Sequence, residues 1–139
     1  MQLNPYLTFN GQCETAFRFY ESCLRGKIEV MSRFAGTPAE KYMPAGWGDK
    51  ILHTMLVFDG GVLMGSDDNH HQTPQGMSVC LQVDEPAEAE RIFGALVESG
   101  SVRMPLAKTF WAERFGMLTD RFGVPWIVNC AGAAQQAAA

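Results

Sequence analysis

The chain is short of every signal that would direct it to a membrane, a nucleic acid or an oxidising compartment. No apolar run approaches the roughly 20 residues that a bilayer span needs. The N-terminal MQLNPYLTF lacks the basic region, apolar stretch and cleavage site of an export signal. Lysines and arginines are scattered and the net charge is −4, so no basic stripe awaits a phosphate backbone or an anionic membrane. Cys13, Cys23, Cys80 and Cys130 stand far apart, and no pair has CxxC spacing. Reduced thiols in a cytoplasmic protein are expected, not a disulfide frame. No glycine-rich nucleotide turn follows a strand, nothing resembles a P-loop, and spacing alone gives no Ser–His–Asp or Cys–His order.

What the chain does carry is two rounds of one pattern. Its 139 residues, 47% hydrophobic, suffice for one domain or for two small modules. LNPYLTF (3–9) reads as a strand. ETAFRFYESCL (14–24) reads as a helix, because Ala16, Phe17, Tyr20, Cys23 and Leu24 recur at three- and four-residue spacing. Gly26 stands where a helix C-terminus wants it. KIEVMSRF (27–34) is strand-like, 35–48 is a loop rich in Gly and Pro, and 51–66 reads as strand, tight turn, strand. MSVCLQV (77–83) opens the second round. Asp84 is the expected N-cap, with Pro86 in the first turn. Ala89, Ile92, Phe93, Leu96 and Val97 form the helix stripe, Gly100 ends it, and strands follow at SVRM, 114–119 and 124–130. Pro125 predicts that the last strand is an edge or locally irregular.

Offsetting the first round by 74 positions sets Leu7 on Leu81, Glu14 on Glu88, Phe19 on Phe93, Gly26 on Gly100 and Ile28 on Val102. Offsetting its later part by 62 sets Met55 on Met117, Leu56 on Leu118, Gly61 on Gly123 and Val62 on Val124. The predicted fold class is α+β, a tandem βαβββ repeat. A single such unit leaves one sheet face bare, which asks for a partner unit. The expected organisation is one domain over 1–130, with modules at about 3–66 and 77–130. The tail at 131–139, AGAAQQAAA, has neither pattern nor large apolar groups and is expected to be disordered.

Three stretches, NPYLTFNGQCETAFRFY, VLMGSD and KTFWAERFGMLTDRFGVPWIVN, resemble the vicinal oxygen chelate superfamily of glyoxalase I, extradiol dioxygenases and bleomycin-resistance proteins. Within it they look most like the PhnB-like branch, over about residues 3–130. The resemblance implies cupped mixed sheets built from two modules, completed by a second chain in a homodimer, with a pocket inside each cup. In metal-using members of the superfamily, four His, Gln or Glu side chains from the first and last strands of each module hold a divalent ion. The matching places here fall at or beside Pro5, Met64, Ser78 and Ile127, and a one-residue slip offers Tyr6, Gly65, Val79 or Trp126. Neither set suits a hard cation, so no metal and no cofactor are expected. Some relatives are named demethylubiquinone methyltransferases. This chain lacks the glycine-rich turn and the length of the usual cofactor-binding methyltransferase domain, so that activity is not expected.

The candidate ligand contacts are His53, Trp111, Trp126, Phe110 and Asp67; His53, Glu113 and Asp120 are the candidate acid–base groups. Trp111 and Trp126 can stack on a flat ligand or pack at an interface. Asp67 reads first as a capping or turn residue. Glu113, Asp120 and Arg121 read as exposed charges at strand ends, unless one carboxylate faces the cup and serves as a general base. Tyr42 and Trp47 either close over the pocket or anchor their loop. His70 and His71, in DDNHHQ, are adjacent residues on a polar loop, a poor arrangement for holding one ion. The expected function is a cytoplasmic, metal-free homodimer that binds a small organic molecule by sequestration or transport. The alternatives are an enzyme of the superfamily type, a lyase, isomerase or dioxygenase with a nonstandard metal or an acid–base pair such as His53 with Glu113, and a purely structural dimer whose cups are filled by its own side chains.

Overall fold

The computed structural model describes residues 1–132. In order, the chain forms β1 (Tyr6–Phe9), α1 (Cys13–Leu24), β2 (Lys27–Arg33), β3 (Ile51–Phe58), β4 (Gly61–Asp67), β5 (Val79–Val83), α2 (Pro86–Leu96), β6 (Ser101–Ala107), β7 (Ala112–Thr119) and β8 (Pro125–Ala131). They divide into two compact units, Met1–Gln72 and the chain from Thr73 onward. Each unit holds a four-stranded mixed sheet, ordered β1-β4-β3-β2 in the first and β5-β8-β7-β6 in the second. In both, the opening strand runs parallel to the closing one and the other pairs are antiparallel. This is the α+β, tandem βαβββ architecture that the repeat predicts.

The helix stripes determine which sheet face is covered. Ala16, Phe17, Tyr20, Cys23 and Leu24 of α1 are all buried. Phe17 meets Phe9 and Tyr20 edge-on at ring-centroid distances of 6.3 and 5.7 Å. Removing one such aromatic side chain from water stabilises the fold by about 2–3 kcal/mol. Strand alternation then sorts the residues beneath: Leu63, Gly65 and Asp67 of β4 are buried, while Met64 and Ser66 are turned to the other face and only half-buried. In the second unit Ala89, Ile92, Phe93 and Leu96 of α2 do the same work, over Leu118, Val128 and Trp126.

Both helix exits pass through a left-handed residue, directly after α1 but three residues beyond the end of α2, whose own C-cap Val97 is right-handed. Arg25 and Ser99 adopt the left-handed conformation, with φ of 51° and 59°. Each is followed by a glycine pressed against the sheet. A Cβ on Gly26 would sit 2.6 Å from the Val57 carbonyl oxygen, and one on Gly100 would collide with the Thr119 carbonyl. The glycines expected as helix terminators therefore act one step later, as points of close approach.

Several expectations need correction. Asp84 lies one residue too early to cap α2: Glu85 is the N-cap, without a side-chain hydrogen bond, and Pro86 is the first helical residue. The strand carrying Pro125 is not an edge, since β8 lies between β5 and β7. Pro125 is tolerated as the first residue of that strand. The edge strands are β5 and β6, and β6 runs on through Pro105 to Ala107 with two register breaks. The long loop contains one turn of 3-10 helix, Glu40–Tyr42. The constant offset of 62 also fails in the last strands. Val57 pairs with Val62 in the first unit, but Thr119 pairs with Pro125 in the second, so the second hairpin is longer by a residue. Without that residue β8 would present its opposite face to α2. Ala131 still belongs to β8, and the rest of the expected tail, beyond Gly132, lies outside the described residues. Among the described residues no helix is long and apolar enough to cross a membrane.

Candidate functional site

On the first sheet, the face turned away from α1 gathers polar groups around two histidines. Tyr6 on β1 places its hydroxyl 3.1 Å from His53 Nδ1 on β3, and the rings stack at 5.7 Å. Thr8, two residues along β1, places its hydroxyl 3.4 Å from His71 Nδ1. Strand alternation accounts for the arrangement: Tyr6 and Thr8 share one side of β1, while Leu7 and Phe9 go into the core. Met55 and Met64, paired across β3 and β4, form the apolar ground between them.

On the second sheet, the face turned away from α2 holds an open pocket of about 720 Å³. Met117, Pro125 and Ile127 make its floor, the segment Thr73–Ser78 one wall, and Arg103 and Thr119 part of its rim. Register explains the convergence. Met117 pairs with Ile127 and Thr119 with Pro125, so all four side chains leave the same face at the β7–β8 hairpin end. Arg103 arrives by a bulge. Val102 pairs with Leu118 and Met104 with Met117, leaving Arg103 as the inserted residue. Bulges re-aim side chains in this way at the edges of sheets.

The expected site residues are divided by this geometry. Asp67 is only 3% exposed and accepts from the backbone N–H groups of Gly11, Cys13 and Ile51 at 2.9, 3.0 and 2.9 Å. It ties the start of α1 to the start of β3 and has no access to a ligand. Asp120 is likewise 3% exposed, not a solvent-facing charge. It accepts from Phe122 N–H and Val124 N–H at 2.8 and 3.0 Å, and from the Trp126 indole N–H at 2.9 Å. These bonds build the longer hairpin and turn Trp126, 1% exposed, into a core residue on the α2 side. Trp126 and Asp120 thus fix the floor of the pocket from behind. Glu113 is half-buried near Lys108, 3.9 Å away, in the second unit, whereas His53 belongs to the first. Arg121 lies against Glu98 at 3.7 Å. Phe110 and Trp111 form an edge-to-face chain with Phe115, at 4.8 and 5.4 Å. Neither lines the pocket: they precede β7, at the other end of that strand from its hairpin with β8. Tyr42 is exposed, with Lys41 over its ring, and Trp47 is half-buried and accepts from Lys50 N–H through its carbonyl. Sequence reading passed over Arg103. The available signal was the offset of 74, which sets it on Glu29, the inserted residue of the matching bulge in β2.

The donor set does not fit a hard divalent cation. Met64 sits between Tyr6 and Met55, and Ile127 between Cys80 and Met117. Among the described residues no three His, Cys, Asp or Glu side chains come together. His70 donates its backbone N–H to Asp68, while His71 turns to Thr8. The thiols are equally poor ligands. Burial, then the nearby Asp67 and Glu14 charges, push the Cys13 thiol far up. Loss of water also raises Cys80, against a hydrogen bond from Gln82, and raises Cys130.

Comparison with known proteins agrees with this architecture. Protein YjdN of Escherichia coli (strain K12) is 31% identical over 139 residues, spanning 93% of this chain and 95% of its own. The crystal structure of protein PA1353 from Pseudomonas aeruginosa superposes with a TM-score of 0.84 at 50% identity, covering 94% of this chain and 98% of that one. A PhnB protein from Bacillus cereus shares the fold, with a TM-score of 0.78 at 24% identity over 94% of this chain and all of that one. A glyoxylase/bleomycin resistance protein/dioxygenase domain from Frankia sp. EAN1pec shares the fold, with a TM-score of 0.64 at 12% identity over 94% of this chain and 95% of that one. Residues 1–129 match the family described as 3-demethylubiquinone-9 3-methyltransferase, and the chain belongs to that PhnB-like family.

Proposed function

We propose that the protein is a homodimer that binds a small organic molecule without a metal ion, by sequestration or transport, in the pocket on its second sheet. The observation that carries this reading is the pocket itself. It combines about 720 Å³ of space, an apolar floor of Met117, Pro125 and Ile127, and a rim of hydroxyl and guanidinium groups. Ligand sites for small molecules have this size and this mixture. Ser78 and Ile127, which the resemblance matches to metal-ligand positions, both line it. Their chemistry supports an organic ligand over an ion. Phe110, 94% exposed, and Trp111, 36% exposed, are assigned to the dimer contact, because neither lines the pocket and exposed aromatics are enriched at partner surfaces.

The test is native mass spectrometry of protein purified without an affinity tag. A co-purifying organic molecule and a dimer mass are expected. A stoichiometric divalent ion would overturn the metal-free reading, and a pocket that binds no small molecule in calorimetric screening would overturn the rest. Trp111→Ala is expected to shift the dimer toward monomers and to leave ligand affinity unchanged.

A second reading is favoured by the Tyr6–His53 pair. A phenol hydrogen-bonded to an imidazole on an accessible sheet face can relay a proton. An enzyme working there would lose turnover in both Tyr6→Phe and His53→Ala.

A further inference from the structure

The charges around the pocket point to the chemical class of its ligand, an inference that rests on the binding function proposed above. Among the described residues Arg103 is the one charged side chain lining the pocket, and no carboxylate lines it. That is unusual in a chain whose net charge is −4. Five of the seven arginines pair with carboxylates: Arg18 with Glu14 and Glu21, Arg33 with Glu14, Arg91 with Glu88, Arg114 with Glu90, and Arg121 with Glu98. Among the described residues Arg103 has no such partner. Its guanidinium is carried out of the regular ladder by the bulge between Val102 and Met104, at the rim of an apolar hollow. The matching bulge residue on the first sheet, Glu29, bears the opposite charge. The cation is thus specific to the unit that carries this pocket.

The geometry points to an amphiphilic organic anion as ligand: a ring or short hydrocarbon body on Met77, Met117, Pro125 and Ile127, with an oxyanion at Arg103. A guanidinium offers paired N–H donors to a carboxylate or to a phosphoryl group, and a charged acceptor strengthens each bond. Ser78 and Thr119 add hydroxyl donors within the same hollow. A cationic ligand would find no counter-charge there, and a neutral one would leave the guanidinium unused.

The experiment compares three probes of one shape by titration calorimetry on the full chain: 2-naphthoate, 2-naphthyl phosphate and 2-naphthalenemethanol. Methionine-methyl NMR of Met117 confirms the location. Both anions are expected to bind about 10-fold more tightly than the alcohol. Arg103→Gln should remove that advantage and leave the alcohol within about two-fold, Arg103→Lys should retain part of it, and Glu29→Gln should change nothing. A preference for naphthoate over the phosphate assigns the carboxylate as the natural group, and the reverse assigns the phosphoryl group. Equal binding of all three probes, or anion binding untouched by Arg103→Gln, overturns the inference and leaves the binding function standing. If no probe shifts Met117, it is the binding function that fails. Unchanged circular dichroism and urea midpoint of Arg103→Gln exclude loss of fold as the cause.

Discussion

At the end of α1 the chain turns left-handed at Arg25 and presses Gly26 against Val57. Seventy-four positions later, Ser99 and Gly100 repeat the manoeuvre against Thr119. The starts of the helices differ. Asp67, opposite Phe9 on β4, reaches the N–H groups of Gly11 and Cys13. Its counterpart opposite Val83 is Cys130, whose thiol donates to the Asp84 carbonyl, and α2 opens with Pro86, which has no N–H to satisfy. A steric demand made by backbone on backbone has one side-chain solution, glycine, and both units keep it. A demand for a hydrogen-bond acceptor has several chemical solutions, and the units diverge.

The largest test of this contrast is Asp67→Ala set beside Cys130→Ala. The first leaves three N–H groups, two of them buried, without their acceptor. It should cost about 3 kcal/mol or more in urea unfolding, with α1 amides losing protection from exchange. Cys130→Ala removes a weak S–H bond and one small buried group, and should cost about 1 kcal/mol. Equal costs would show that the two positions do the same work after all. Asp120→Ala, which strips two hairpin N–H groups and the Trp126 indole, should fall close to Asp67→Ala.

Next in size are Gly26→Ala and Gly100→Ala. If both glycines answer one steric demand, each should destabilise by about 2 kcal/mol, because a methyl group must displace backbone, not a flexible side chain. Arg25→Gly should act in the other direction, by about 1 kcal/mol, through relief of the left-handed penalty. A loss confined to one glycine variant would break the equivalence of the two returns.

The same physics explains what could be read in advance. Element order, both helix stripes and the repeat were legible because burial imposes a period on residue type, as in Ala89, Ile92, Phe93 and Leu96. The register of β8 was not: it depends on a single additional turn residue, held by Asp120. Nor was the fate of Asp67 and Asp120, since a carboxylate in a turn has the same local signature whether it faces water or three N–H donors. The candidate aromatics were visible but not their sorting, because the register of β8 turns Trp126 into the core while Trp111 stays in the bend ahead of β7. Arg103 looks like any surface arginine until the bulge and the neighbouring hollow are known.

The smallest effect separates the ways in which the two helices are tied electrostatically. Arg33 on β2 grips Glu14 in the first turn of α1 with two N–H bonds of 2.9 Å, and also donates to the Asp49 carbonyl at 2.8 Å. The matching Glu88 pairs instead with Arg91 on its own helix. The hydrogen bond from Arg33 first, and then its charge, hold the Glu14 carboxyl below its ordinary value of 4.5. A carboxyl lowered in the folded state stabilises fully above its unfolded value, and loses that contribution as the pH falls through the folded value. Both side chains are about 40% exposed, so Arg33→Met should cost little at neutral pH, and less still in about 1 M salt. The cost should shrink between about pH 5 and pH 3, whereas the smaller cost of Arg91→Met, about 0.5 kcal/mol, should register only in the exchange of α2 amides. A penalty for Arg33→Met that persists unchanged in acid would move its value from Glu14 to the Asp49 carbonyl, and the strand–helix tie would then be a loop anchor.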